Sequence, residues 1–174
     1  MGVFSPPFAH LHVASSHSLR YGATLPELLV QRSAELGQSI VALTDRDGLY
    51  AAVRWVRECS RLGIRPVLGV DIAVEATQAA RVHPDVQART PARGGRWIDE
   101  TRPRVLLLAT GSRGWASLCR LVSAAHIGDH TARGEPWVPW SALREHSEGI
   151  VVILGADSEV GRYLADERAT LAEA

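Results

Sequence analysis

The chain contains no lysine and no asparagine, so all 19 of its basic residues are arginine. Codons for the two missing residues are AT-rich, so their absence fits a GC-rich coding sequence and carries no mechanism. Net charge is also missing: 19 acidic residues balance the arginines. No whole-molecule field therefore steers the protein to nucleic acid or an anionic membrane, which argues against a free-standing, nonspecific DNA binder. Cysteine is scarce. Cys59 and Cys119 lie far apart without C-x-x-C spacing, which speaks against a disulfide framework and for buried thiols of a cytosolic protein. No apolar run approaches the roughly 18 residues needed to span a bilayer. Met1 to Ala9 lacks a basic stretch followed by an apolar one, so no signal peptide is expected and the expected location is cytoplasmic. What is present is 174 residues with a hydrophobic share of 46%, enough for one domain with a real core.

Strand and helix signals alternate along the chain. Phe8 to Val13 reads as a strand. Leu25 to Leu36 reads as a helix, with a Thr24/Glu27 capping box, Pro26 in the first turn and Gly37 as its stop. The apolar run within Ser39–Thr44 predicts a buried strand. A second helix is expected over Leu49–Leu62, with Val53, Val56 and Ser60 on one face and Gly63 ending it. Pro66–Val74 is the third strand. Residues 75–103 hold Pro84, Pro91, Pro103 and Gly94-Gly95 with little periodicity, which predicts a long loop or insertion. Regular signals return as a strand at Val105–Thr110, a helix at Trp115–Ala125 and a polar loop at 127–139. A short helix at Ser141–His146, a strand at Ile150–Leu154 and a closing helix at Glu159–Ala172 follow. Five strands interleaved with helices predict a parallel α/β sheet, either open or part of a barrel.

In such folds the site gathers at the carboxyl ends of the strands. His10 and His12, two residues apart on a strand, project from one face. Thr44-Asp45-Arg46-Asp47 ends the second strand, and Asp71 lies on the third. Two imidazoles and neighbouring carboxylates are ingredients of a Zn, Mn or Fe site that activates water. The spacing alone leaves a second reading open, in which the histidines are merely satisfied by hydrogen bonds. Asp45 beside a helix start also suits a cap.

Longer motifs carry a resemblance. Ala9-His10-Leu11-His12-Val13, Ser18-Leu19, Gly22-Ala23, Pro26-Glu27-Leu28 and Ala34-Glu35-Leu36-Gly37 come first. They are followed by Ala42-Leu43-Thr44-Asp45, the stretch from Asp47 to Arg54, and the stretch from Gly63 to Asp71. Leu106 to Ala109, Gly114 to His126 and Gly149 to Gly155 complete the series. In this order they resemble the PHP (polymerase and histidinol phosphatase) domain that opens bacterial DNA polymerase III alpha subunits, especially the error-prone-type branch. The resemblance implies a distorted (β/α)7, TIM-like barrel of the PHP type, here incomplete at its C-terminal end. Complete members hold a metal cluster at the strand ends and hydrolyse phosphoesters.

The chain departs from that pattern. His10 and His12 match the first two ligands, and Asp71 stands where the family usually has Glu. Tyr21 replaces an acidic residue, Arg46 replaces the histidine of Thr-Asp-His, and Arg104 falls where another histidine is expected. Gly155 or Ala156 falls where a cysteine is expected, and the last Asp-x-His motif is absent. A permanent guanidinium charge at Arg46 disfavours divalent cations at short range, and Arg46 is expected to pair instead with Asp45, Asp47 or Asp71. The site therefore reads as vestigial, lined by Asp45, Arg46, Asp47, Tyr21 and Arg104, with no resident cofactor (Zn or Mn if any). The expected role is structural or docking, within a polymerase used in replication or translesion synthesis. Polymerase core domains or other replication proteins are the expected partners, DNA is met only indirectly, and an incomplete barrel edge invites self-association. The alternative is a free-standing metal-dependent phosphoesterase. A third possibility is a truncated product without a function of its own. Arg81, Arg89, Arg93, Arg96 and Arg102 are expected on a solvated loop, and the five tryptophans are too scattered to form a base-stacking platform.

Overall fold

The computed structural model describes residues 8–77, 102–131 and 135–172. Nine elements follow one another: α1 (Pro26–Glu35), β1 (Ile40–Arg46), α2 (Ala52–Leu62), β2 (Arg65–Ala73), β3 (Arg104–Ala109), α3 (Gly111–Ile127), α4 (Trp140–Glu145), β4 (Ile150–Ile153) and α5 (Glu159–Ala172). Most of the expected loop at 75–103, with Arg81, Arg89, Arg93, Arg96 and Trp97, lies outside the described residues.

The glycine stops act as read. Gly63 takes φ 69° at the end of α2, and the Ile64 amide behind it donates to the Cys59 carbonyl, which satisfies carbonyls the helix leaves open. Pro26 opens α1, but the capping box does not form: Leu25 is the N-cap and no side chain caps the helix. The buried face of α2 is also one step away from the expected one. Ala52, Trp55 and Cys59 are buried, while Val53 is 71% exposed. The largest side chain decides the phase, because Trp55 removes far more apolar surface from water than a valine does.

The sheet has the order β1-β2-β3-β4 and is mixed, not parallel. β1 and β2 run parallel, whereas β2–β3 and β3–β4 are antiparallel. A parallel neighbour needs a crossover, usually through one helix. After β3 the chain instead makes two passes. It descends along α3, and Val138 then bridges to Val74 just past the end of β2, beside the start of β3. α4 carries it back, and Thr110 bonds to Gly149 beside the end of β3 that it left. The next strand must therefore run in the opposite sense.

Alternation along the strands sorts the two faces. Val41, Leu43, Leu68, Val70, Ile72, Val105 and Leu107 share one face by register. Two clusters form there, one with Val30, Trp55, Cys59 and Ile64 from the α1–α2 side, the other with Leu118, Leu121, Ala125 and Leu143 from α3 and α4. The opposite face carries Thr44, Arg46, Asp71 and Arg104 among small residues such as Ala42, Gly69 and Ala73. Every strand that contributes to that polar row is anchored from behind by the apolar clusters.

The segment 8–13 is not a strand of the sheet. His10 makes a single bridge to Val41. The Ala42 amide donates to the His10 carbonyl, and the Thr44 amide donates to the Val13 carbonyl. Two steps along β1 are thus met by three along this segment, a bulge-like slip that breaks the alternation between His10 and His12.

Burial pushes the Cys59 thiol up to about 11, with the neighbouring Glu58 charge adding to the effect. A raised value means that its stabilising share is complete below the ordinary value of 9.0 and fades as pH rises through about 11. We expect a colorimetric thiol reagent at pH 8 to leave Cys59 untouched until denaturant is added. Trp55→Ala is expected to lower unfolding stability by about 3–5 kcal/mol, read from urea melts.

Candidate functional site

The polar face of the sheet converges on a guanidinium. Ala73 pairs with Arg104 across β2 and β3, so Asp71, two residues earlier, is Arg104's diagonal neighbour, within reach of a long side chain. Arg104 Nε donates to Asp71 Oδ1 at 2.8 Å. Its Nη2 donates to Asp47 Oδ1 at 2.8 Å and to the Asp71 carbonyl at 2.8 Å. The Arg104 side chain is only 6% exposed. Burial alone would push its pKa down, but Asp47 and Asp71 outweigh burial and hold it above the ordinary arginine value. Asp47 is presented to this guanidinium by an unusual backbone. It sits at φ 57° just past β1, and its amide donates to the Asp71 carbonyl.

The other expected site residues divide. His12 Nε2 lies 3.6 Å from Asp71 Oδ2, with a side chain 55% exposed. His10 is exposed and packs edge-on against Phe8, with ring centroids 4.7 Å apart. The slip in segment 8–13 explains why residues two apart do not share one partner. Of its three expected partners Arg46 meets Asp47, with its Nε 3.9 Å from Oδ2, and its guanidinium lies 3.9 Å over the Tyr21 ring. The arginine that donates to both Asp47 and Asp71 is Arg104.

Asp45 turns away from this group. It follows Thr44 and precedes Arg46, so alternation sends it to the other side of β1. Oδ1 accepts from the Ser15 amide at 2.7 Å and from Ser18 Oγ at 2.7 Å, while Oδ2 accepts from Ser15 Oγ at 2.9 Å. Ser18 Oγ also accepts from the Arg46 amide at 2.9 Å. This buried carboxylate anchors the 15–18 turn that carries the chain toward Tyr21. Gly22 belongs to the same packing, since a Cβ there would stand 1.9 Å from the Ser15 carbonyl oxygen.

Three contributors had no signal in the sequence as read. Ser15 and Ser18 are ordinary turn residues until Asp45 is seen between them. His126, at the end of α3, meets the Asp47 carbonyl at 2.6 Å through Nε2. A carbonyl only accepts, so that nitrogen carries the proton. Among the described residues, no group of three or more His, Cys, Asp or Glu is arranged to hold a metal ion. Arg102, expected on the solvated loop, lies 4.4 Å over the Trp137 ring, and Trp140 packs partly buried against the larger apolar cluster.

A mixed α/β sheet with helices on one face and a row of polar strand-end residues on the other defines the class of domain. A PHP domain profile matches residues 10–174, and the chain belongs to the PHP domain family. Its relatives include the error-prone DNA polymerases of Mycobacterium bovis and Mycobacterium tuberculosis, each 35% identical over 158 residues, or 85% of this chain and 13% of the relative. The error-prone DNA polymerase of Anaeromyxobacter sp. (strain K) is 34% identical over 181 residues, covering 98% of this chain and 14% of the relative. The chain thus spans only 13–14% of the length of these curated relatives. Among solved structures, an amidohydrolase from Chromobacterium violaceum matches with a TM-score of 0.46 and 19% identity over 69% of this chain and 34% of that one. A Bifidobacterium adolescentis protein described as a metal-dependent phosphoesterase matches with a TM-score of 0.41 and 17% identity, over 88% of this chain and 46% of that one. Likeness at this level says nothing about chemistry here. No described helix is long and apolar enough to cross a membrane.

Asp45→Ala strands two hydroxyls and a backbone amide in a buried turn. We expect a loss of roughly 3 kcal/mol or more in chemical denaturation, and about half of that for Asp45→Asn, which keeps one acceptor.

Proposed function

We propose that this chain is the N-terminal PHP portion of an error-prone-type DNA polymerase III alpha chain, serving replication or translesion synthesis as a scaffold and docking domain without catalysis of its own. The observation that carries the reading is Arg104. One carboxylate oxygen each of Asp71 and Asp47 already accepts its hydrogen bond at 2.8 Å. A divalent ion bonded to the same oxygens would sit within a few ångströms of a fixed positive charge, and that repulsion is large in a partly buried site. The residues do not fit a resident metal, so no hydrolytic step is assigned to them. His10, His12 and Asp71 then remain as remnants of a ligand set, lined by Tyr21, Asp45, Arg46, Asp47 and Arg104.

The four-stranded sheet is read as a section of the distorted (β/α)7 barrel of the family. Its β4 edge supports a docking role. Val151 and Val152 are each nearly half exposed, Ile150–Ile153 contains neither a charge nor a proline, and Leu154, Val160, Tyr163 and Leu164 expose apolar surface nearby in sequence. Natural edge strands are usually blunted by charge, proline or cover. Polymerase core domains are the proposed cover in a longer chain, and a second copy takes that place when the chain is alone.

Two measurements test this. Purified protein incubated with Mn or Zn is expected to show no turnover of a phosphodiester or of 3′-recessed DNA above background. Turnover abolished by His12→Ala would replace the scaffold reading with that of a metal-dependent phosphoesterase. In sedimentation velocity the chain is expected to run as more than a monomer, and Val152→Lys to shift it toward one. A monomeric unmodified chain would count against the open edge.

A further inference from the structure

We infer that Arg104 is a built-in cation, a guanidinium that takes over the cohesive role a metal ion would have between strand ends. The inference rests on the non-catalytic reading above and goes further: it makes the integrity of this face depend on a covalently attached charge. Three separate chain segments meet at that charge. Asp71 comes from β2, Asp47 from the left-handed residue beyond β1, and Arg104 from the first position of β3. The guanidinium donates to the other two segments at 2.8 Å, to two carboxylates and one backbone carbonyl. Its planar fork allows this, where a lysine ammonium would act as a point charge.

The arrangement differs from an ordinary surface ion pair in two respects. The arginine is nearly inaccessible while the carboxylates are 14% and 21% exposed, so the positive charge lies deepest, beneath the acids that face outward. The Asp71 carboxylate is also shared. Oδ1 takes the guanidinium, and Oδ2 stays 3.6 Å from His12. Removing the guanidinium therefore leaves two carboxylates, Asp71 with His12 3.6 Å from its other oxygen and Asp47 with Arg46 3.9 Å from its own, and a divalent ion entering there has to outcompete Arg46. A simple structural salt bridge, once deleted, leaves a site indifferent to added metal. A surrogate cation, once deleted, leaves a site that a divalent ion can refill.

The test compares thermal melting and bound metal in the full chain, for wild type and Arg104→Met, in EDTA and in excess Mn or Zn chloride. Wild type is expected to retain no stoichiometric metal and to melt at the same temperature in all solutions. Arg104→Met is expected to melt roughly 6–20 °C lower in EDTA, as for a broken buried pair in a domain of this size. Mn or Zn should restore part of that shift, and adding His12→Ala should weaken the recovery. If Arg104→Met does not fold in EDTA, folding upon addition of metal supports the same conclusion. Stoichiometric metal in wild type, a melting point unmoved by Arg104→Met, or a destabilised variant deaf to both cations overturns it. Failure of Arg104→Met to fold with or without metal assigns the residue to packing alone and also overturns it. Phosphoesterase turnover by metal-free wild type would sink the non-catalytic reading and leave this one standing.

Discussion

One buried positive charge organises the polar face of this domain. Arg104 binds the residue just past β1, the last residues of β2 and the start of β3 into one unit, and its hydrogen bonds engage carboxylates that would otherwise repel one another. Two aspartates this close would oppose folding if left alone. With the guanidinium between them, the same carboxylates become adhesive. Residues farther out are arranged around that fact: His12 approaches the free oxygen of Asp71, His126 fixes the Asp47 carbonyl, and Arg46 is displaced onto Tyr21.

Behind this face lies an apolar layer that makes the arrangement possible. The strands are held at fixed spacing by Trp55 and Cys59 on one flank and by Leu118 and Leu121 on the other. Hydrogen-bond geometry at 2.8 Å tolerates little drift, so a diagonal contact between strands needs that rigid backing. The turn at residues 15–18 is fixed separately, by a carboxylate that shares no partner with Arg104.

Much of the architecture could be read from residue patterns, and the misses have physical causes. Apolar runs and glycine stops located the four strands and five helices of the described residues, because burial and left-handed caps act locally. The sheet's mixed direction was illegible, because it depends on how many passes the chain makes between strands rather than on any strand's composition. The buried face of α2 lies one step from Val53, Val56 and Ser60 because Trp55 outweighs any valine in the apolar surface it buries. For the site, the motifs pointed to the right strand ends, with His12, Asp47, Asp71 and Arg104 in one neighbourhood. Which arginine takes the centre was not legible: Arg46 and Arg104 carry the same charge, and only register across β2 decides between them. Asp45 was grouped with its neighbours, although simple alternation along β1 already sends it elsewhere.

The two-pass connection between β3 and β4 has a further consequence, for the route to the folded state. These strands are neighbours in the sheet, yet residues 110–149 separate them, so their pairing requires closure of a long loop before any ladder bond rewards it. α3 shortens that search. Once it winds and lays Leu118 and Leu121 against β2 and β3, the span left to close is only the return through α4. Docking of α3 thus shortens the closure that the β3–β4 pairing requires.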